Sequence, residues 1–175
     1  MLGFFLACDA TEFPAPVGPI ASLEGVSLSL GADFTAAVES VVLDAGEQVS
    51  AQGIRVESVL GNGFVIQAPE GRLDAQGRLL VLEGGVEVQG ADVKIRSGQM
   101  ALRYDSDNRL VGIEARGEVE ATPTVESAWI AAGEVASVDW LNGKVQLQGN
   151  ARLTHRSVVL RGGVANYDLC WAPSS

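Results

Sequence analysis

The sequence has few of the residues that carry most enzyme chemistry. It contains one histidine, His155, two cysteines and two lysines among 175 residues. A nucleophilic triad needs a base and an orienting group that converge on a serine or cysteine, and the chain has no nucleophile-elbow motif. We therefore expect that the protein is not an enzyme. His155 lies in a strand-like run and is interpreted as a surface or structural residue.

Basic residues are also too few for nucleic-acid binding. Lysine and arginine total 12 against 22 aspartates and glutamates, which gives a net charge of −10. Binding to phosphates needs clustered Lys and Arg side chains that displace counterions. The same acidity opposes adsorption to an anionic membrane surface by charge alone. We expect no nucleic-acid partner.

Patterns that hold metals or cofactors are absent from the sequence. Cys8 and Cys170 lie at opposite ends of the chain, far from any spacing typical of zinc ligands. A calcium site needs clustered oxygen ligands, and the one loose candidate is "DSDN" at 105–108. That segment is interpreted as a turn, because aspartate caps its own backbone there. We expect no metal and no cofactor.

The N-terminus carries a targeting pattern. "MLGFFLAC" ends like the lipobox of bacterial lipoproteins, in which Cys8 is the lipidated residue. The basic part of a complete signal is missing and its apolar run is short, so a chance cysteine at an apolar terminus is the alternative. No stretch reaches the roughly 20 apolar residues that span a bilayer. If Cys8 carries a lipid, Cys170 is an unpaired thiol. If Cys8 carries none, a Cys8–Cys170 disulfide is the alternative.

Three segments are predicted. Residues 1–21 form the lipobox-like N-terminus and a tether in which Pro14, Pro16 and Pro19 prevent regular structure. Residues 22–169 form one folded domain, since a chain that is 47% hydrophobic can bury a core. Residues 170–175 form a C-terminal tail.

Two short patterns alternate along the domain. The first is a basic residue, alternating apolar positions and a central Gly or Asn, as in "RLLVLEGGVEV" from Arg78, "RLVGIEARGEVE" from Arg109 and "KVQLQGNARL" from Lys144. The second runs from an apolar residue through a small-residue break to aspartate, as in "IRSGQMALRYD" from Ile95. Such self-similarity indicates stacked units, and period-two alternation indicates strands. Each unit therefore holds two strands.

Breaks in these strands predict bends. Small residues recur at Ala68-Pro69, Ser97-Gly98, Ala132-Gly133 and Gly162-Gly163, and glycines inside strands mark bulges or sharp bends. Bends at the same place in every unit predict an all-β protein, an antiparallel sheet folded over one apolar interior. Residues 33–43 fit a short helix or a strand equally well.

In these strands the chain resembles the OstA-like proteins LptA and LptC, which carry lipopolysaccharide across the periplasm. The matching motifs are "LxGxVxV" at 82–88, "IxAxGxV" at 113–119, "LxGNA" at 147–151, and "YD" at Tyr104-Asp105 and Tyr167-Asp168, within about residues 45–169. The resemblance implies a β-jellyroll, or β-taco, whose interior holds acyl chains. It also implies edge-to-edge joining with Lpt bridge and ABC-transporter components.

The inward-facing positions of the strands are the predicted lipid-binding residues. They are Leu80, Leu82, Val86, Val88, Ile95, Met100, Leu102, Val111, Ile113, Val119, Trp129, Val145, Leu147, Leu153 and Leu160. Sequence alone leaves two alternatives open for them, a filled core and an open groove.

Localisation and role follow from the N-terminus and the resemblance. A lipid on Cys8 and the tether could replace the transmembrane helix of LptC, and Asp9 follows the lipobox, which favours retention at the inner membrane in enteric bacteria. We expect a periplasmic protein anchored to the inner membrane, of LptC or LptA type. The alternative is a structural β-solenoid of bactofilin type, which would polymerise without lipid.

Overall fold

Alternating apolar and polar residues build strands along the whole described chain. The computed structural model describes residues 19–30, 34–44, 48–58, 64–74, 78–90, 93–107, 109–124, 129–139, 144–155 and 157–168. Within these residues the strands are β1 (Pro19–Leu30), β2 (Phe34–Asp44), β3 (Val49–Ser58), β4 (Val65–Leu73), β5 (Leu79–Gln89), β6 (Val93–Tyr104), β7 (Leu110–Pro123), β8 (Trp129–Asp139), β9 (Lys144–His155) and β10 (Val158–Asp168).

The ten strands form one antiparallel meander. Each pairs with its neighbours in sequence, in the order β1 to β10. The predicted turn chemistry is confirmed: the Asp105 carboxylate accepts hydrogen bonds from the backbone N–H groups of Asp107 and Arg109, each at 2.9 Å. The β-solenoid alternative is wrong, because the coils of a β-helix stack their strands in parallel, whereas every pairing here is antiparallel.

The N-terminal strands settle one alternative and correct one prediction. Phe34, Ala36 and Val38 are buried and Thr35 is exposed, which identifies residues 34–44 as a strand rather than a helix. Pro19 was assigned to the tether, yet it is the first residue of β1. Proline is tolerated there because it lacks only a backbone donor at the end of the ladder. The predictions for Cys8, residues 1–18 and residues 170–175 fall outside the described residues.

One face of the sheet forms the core. A single hydrophobic cluster contains inward side chains from both halves of the strands, such as Leu80 and Leu82 before the bend of β5 and Val86 and Val88 after it. Because these halves share one core, the sheet is folded over its own apolar face, as predicted. Within the described residues, no helix has the length and apolarity needed to cross a membrane.

The fold line is a row of bulges on alternate strands. Two consecutive residues have positive φ at Gly84-Gly85 in β5, Gly117-Glu118 in β7 and Gly149-Asn150 in β9. The register shifts beside each of these pairs. In β1 and β3, Gly25 and Gly53 have positive φ without a shift of register at that point.

The predicted breaks lie on this fold line, but the extra residues do not lie in them. In β5, three residues separate the inward Leu82 from the inward Val86. In β6, only two separate Ser97 from Met100. The extra residue therefore belongs to β5, β7 and β9, where glycine supplies the left-handed backbone. The small residues of the even-numbered strands lie opposite it.

Candidate functional site

The inward side chains align in rows that cross the sheet from strand to strand. The row beside the fold line on one side, here called the crease row, is Ala68, Val86, Ser97, Val119, Gly133, Ala151 and Gly162. The facing row on the other side of the fold line, here called the second row, is Gly71, Leu82, Met100, Ala115, Ala136, Leu147 and Ala165.

The structure brings most of the predicted lipid-binding residues together on this inner face. The buried ones are Leu80, Leu82, Val86, Val88, Met100, Leu102, Ile113, Val119 and Leu147. Ile95, Trp129 and Leu153 are partly buried and pack against this core. Val145, opposite Val138, is half-buried. These placements establish a shared apolar face and leave its ligand to be tested.

Two predicted residues lie elsewhere than expected. The register shifts at the start of β7, so Tyr104 pairs with Leu110; Leu110 is buried and Val111 is only half-buried. Leu160 lies opposite Leu153 on the inner face, but it is 60% exposed because β10 is the last strand of the sheet.

Sequence reasoning missed the inner face of the first strands. Phe34, Val38, Ile54, Val56 and Ile66 belong to the same core. The signal was present, since "IRVES" at 54–58 alternates apolar and polar residues. It was overlooked because these strands lack the double-residue bulge that marks the later repeats.

Small side chains form part of the inner face. In the second row, Ala115 and Ala136 of β7 and β8 lie between Met100 of β6 and Leu147 of β9. In the crease row, β8 to β10 contribute Gly133, Ala151 and Gly162. A sheet face lined by small side chains leaves more room between its two halves than one lined by leucine and methionine.

The inner face is uncovered at both edges of the described sheet. Leu23 of β1 pairs with Val41, which packs against the core, and Leu160 of β10 pairs with Leu153, which does the same. Both leucines are 60% exposed. The apolar interior therefore continues to the surface at each end of the sheet.

The outer face is polar and carries several ion pairs. Glu87 binds the Lys94 ammonium at 2.8 Å and the Arg96 guanidinium at 2.9 Å. The hydrogen bond from Lys94 is the largest cause that lowers the pKa of Glu87; burial opposes it, and Arg96 lowers the pKa further. Such pairs engage six of the arginines and lysines that the structure describes, namely Arg55, Arg72, Lys94, Arg96, Arg103 and Arg116.

A surface cavity of about 800 Å³ lies where the bulges of β7 to β10 meet. Its charged lining is mixed, with Glu118, Glu120 and Glu134 beside Arg152 and Arg161. The carboxylates outnumber the guanidinium groups, which disfavours a phosphate. In the part of the chain that the structure describes, no group of His, Cys, Asp or Glu side chains could hold a metal ion.

These features define an all-β protein that folds one antiparallel sheet around an apolar interior. The sequence model of the LptA/(LptD N-terminal domain) LPS transport proteins matches residues 65–170. The chain belongs to this lipopolysaccharide (LPS) transport family, since the match covers more than half of its length. The predicted LptA-type resemblance is thereby confirmed.

A solved structure shares the fold. It is LptH from Pseudomonas aeruginosa, described as the LptA-homologous periplasmic component of the conserved lipopolysaccharide transport device. The TM-score is 0.52 at 20% identity, over 61% of this chain and 76% of that one. No curated protein matches the chain. The structural likeness confirms the predicted β-taco architecture.

Proposed function

We propose that this protein is a periplasmic LPS-transport component that holds acyl chains against the inner face of its folded sheet. The observation that carries the proposal is the pair of open ends. Leu23 and Leu160 extend the apolar interior to both edge strands and are 60% exposed there. An interior open at both ends suits a lipid that enters at one edge and leaves at the other.

Apolar burial is the source of affinity in this account. Removal of apolar surface from water contributes about 25 cal/mol per Å² and has no preferred direction, so a bound chain can slide along the rows. The net charge of −10 disfavours tight binding of phosphorylated headgroups, which would stay in water at the mouth of the trough.

Transfer between proteins would use the sheet edges. Within the described residues, β1 and β10 each pair on one side only, and an unpaired strand edge can accept a strand from a partner. The partners in this proposal are Lpt bridge and ABC-transporter components. Joining edge to edge would align the open ends of successive apolar interiors.

Anchoring through Cys8 would distinguish an LptC-like from an LptA-like role. The "FLAC" pattern with Asp9 after it supports retention at the inner membrane. We expect mass spectrometry of the full chain to find a lipid on Cys8, and Cys8→Ser to move the protein into the soluble periplasmic fraction. An unmodified Cys8 in a soluble protein would favour the LptA-like role.

Two matched substitutions test the trough. Leu160 and Val164 lie on the same edge strand and are 60% and 54% exposed. Leu160 shares the inner face with Leu153, whereas Val164 pairs with the exposed Gln148 on the outer face. Leu160→Asp should weaken binding of purified LPS by about tenfold or more, since a charge on the apolar path is desolvated when lipid covers it.

Val164→Asp should leave the LPS affinity unchanged, and both variants should retain the thermal midpoint of unfolding of the parent. Equal effects of the two substitutions on LPS binding would contradict an inner-face trough. Loss of binding in both variants would place the lipid site on the edge strand as a whole rather than on its inner face.

A further inference from the structure

The apolar interior contains one buried serine. Ser97 of β6 is 5% exposed, and among the described residues it is the one buried serine, threonine, amide or charged residue. Its Oγ is fully buried and has no hydrogen-bond partner in the described part of the chain. A buried polar group without a partner is unusual in native proteins and calls for a physical reason.

The position does not require a hydroxyl for folding. Ser97 is the inward residue next to the fold line in an even-numbered strand, and the equivalent residues are Ala68 in β4, Gly133 in β8 and Gly162 in β10. None of these has a polar side chain. Alanine or glycine would satisfy the same packing at 97 without the cost of burying an unpaired hydroxyl.

Ser97 also lies next to the part of the crease row that β7 to β10 contribute. It pairs with Val86 on one side, and Val119, Gly133, Ala151 and Gly162 continue the crease row toward the open edge at β10. Adjacent strands lie about 4.8 Å apart, so the four steps from β6 to β10 span roughly 19 Å. That length accommodates the greater part of an extended acyl chain.

We propose that the Ser97 hydroxyl hydrogen-bonds an oxygen carried on the acyl chain itself, a chain hydroxyl or an ester carbonyl, when the chain lies in the crease between β6 and β10. The inference rests on the proposed function and adds a polar contact to it. The bound oxygen accepts a hydrogen bond from the Ser97 hydroxyl, and the remainder of the chain packs against the crease-row residues of β7 to β10.

A single hydroxyl fits this ligand better than the alternatives. A phosphate or sugar headgroup brings several charged or polar groups. The neighbours of Ser97 in its row are Val86 and Val119, whose side chains cannot form hydrogen bonds with such groups. A buried water molecule needs two to four polar partners. An acyl chain with one oxygen is apolar everywhere else and needs one partner.

Competition binding with three probes of equal chain length tests the proposal. The probes are a straight-chain fatty acid, its β-hydroxy derivative and the acetyl ester of that derivative, each displacing a fluorescent fatty acid from the purified full chain. The parent protein should bind at least one oxygenated probe about two- to tenfold more tightly than the plain one, as one net hydrogen bond provides. The probe that is preferred identifies the hydroxyl or the ester as the source.

Ser97→Ala should reduce this preference to about one. Val86→Ala is the matched control: it alters packing beside Ser97 and should weaken all probes equally, so that the preference remains. Ser97→Cys, close to serine in size but a weak donor, serves if the alanine variant does not fold, and it should also lose the preference.

The outcomes separate the two proposals. A parent protein that binds all three probes equally, or a Ser97→Ala protein that still prefers the oxygenated chain, overturns the role of Ser97 and leaves the trough intact. A parent protein that binds none of the three probes overturns both.

Discussion

At single residues, backbone conformation shapes the fold as much as side-chain chemistry does. The double bulges combine a glycine with a second residue of positive φ, which is glycine in β5, glutamate in β7 and asparagine in β9. Asparagine tolerates the left-handed region better than glutamate does. The fold line is therefore set by a few backbone angles that only some residues adopt without strain.

Gly85 provides a test of that strain without steric clash. Its φ is +95°, and a Cβ added there would meet nothing within 4 Å. We expect Gly85→Ala to lower the free energy of unfolding by about 1–2 kcal/mol through backbone strain alone. Gly163 also has nothing within 4 Å of such a Cβ, and its φ lies outside the positive range. Gly163→Ala should therefore leave the free energy of unfolding, measured in urea, unchanged or slightly raised. Equal losses of stability in Gly85→Ala and Gly163→Ala would show that φ is not the cause.

Glu87 gives a pH-dependent contribution to stability. Its carboxylate is paired with Lys94 and Arg96, and the pKa in the folded state lies below the ordinary value. The stabilisation is therefore present above the pKa of the unfolded chain and is lost as pH falls through the folded pKa. These ion pairs are partly exposed, so Glu87→Gln should lower the free energy of unfolding by about 0.5 kcal/mol at neutral pH.

The difference between Glu87→Gln and the parent should disappear in acid, as measured by urea unfolding across that pH range. Glu24→Gln is the control, because Glu24 is exposed and forms no ion pair among the described residues. If Glu87→Gln remains less stable than the parent by the same amount in acid, the ionised pairs of Glu87 are not the source of the difference.

At the scale of strands, the alternation of odd and even strands follows from spacing. Three residues separate the inward Ala115 and Val119 of β7, and two separate Ser97 and Met100 of β6. Each strand thereby changes direction at the fold line while its apolar residues remain on one side. A one-residue change of spacing would turn every later side chain to the other face.

Strand type and most inward residues could be predicted from this pattern, and three features could not. Val111 follows an equally apolar Leu110, and only the register shift against Tyr104 decides which is buried. The exposure of Leu160 depends on strand order, which no local pattern reports. The open or filled state of the interior depends on how the two halves of the sheet meet, a long-range property.

The last strand is predicted to matter for joining more than for stability. Ala165 is the one β10 residue packed against the core among those described, and Val158, Val159, Leu160 and Val164 are 48–60% exposed. Truncation after residue 156 should preserve the strand signal in circular dichroism and abolish concentration-dependent association or partner binding. Retained association would show that β10 is not the joining edge.

For the whole molecule, one arrangement accounts for composition, fold and family. Medium and small aliphatic residues fill a face that a single sheet folds around, and aromatic residues make up only 6% of the chain. Among the described residues the charged side chains lie outside this core. The inner face reaches the surface at both edges, at Leu23 and Leu160. These properties support the proposed role of the inner face in holding an acyl chain.

Site-specific photo-crosslinking along β10 tests the central claim most directly. A photoreactive amino acid is placed at Leu160 or Ala165 on the inner face, and at Val159 or Val164 on the outer face, in protein exposed to LPS. The account predicts LPS adducts from the inner positions and none above background from the outer ones, although Val159 and Val164 are 48% and 54% exposed. Adducts of equal yield from both faces, or none from Leu160 and Ala165, would contradict it.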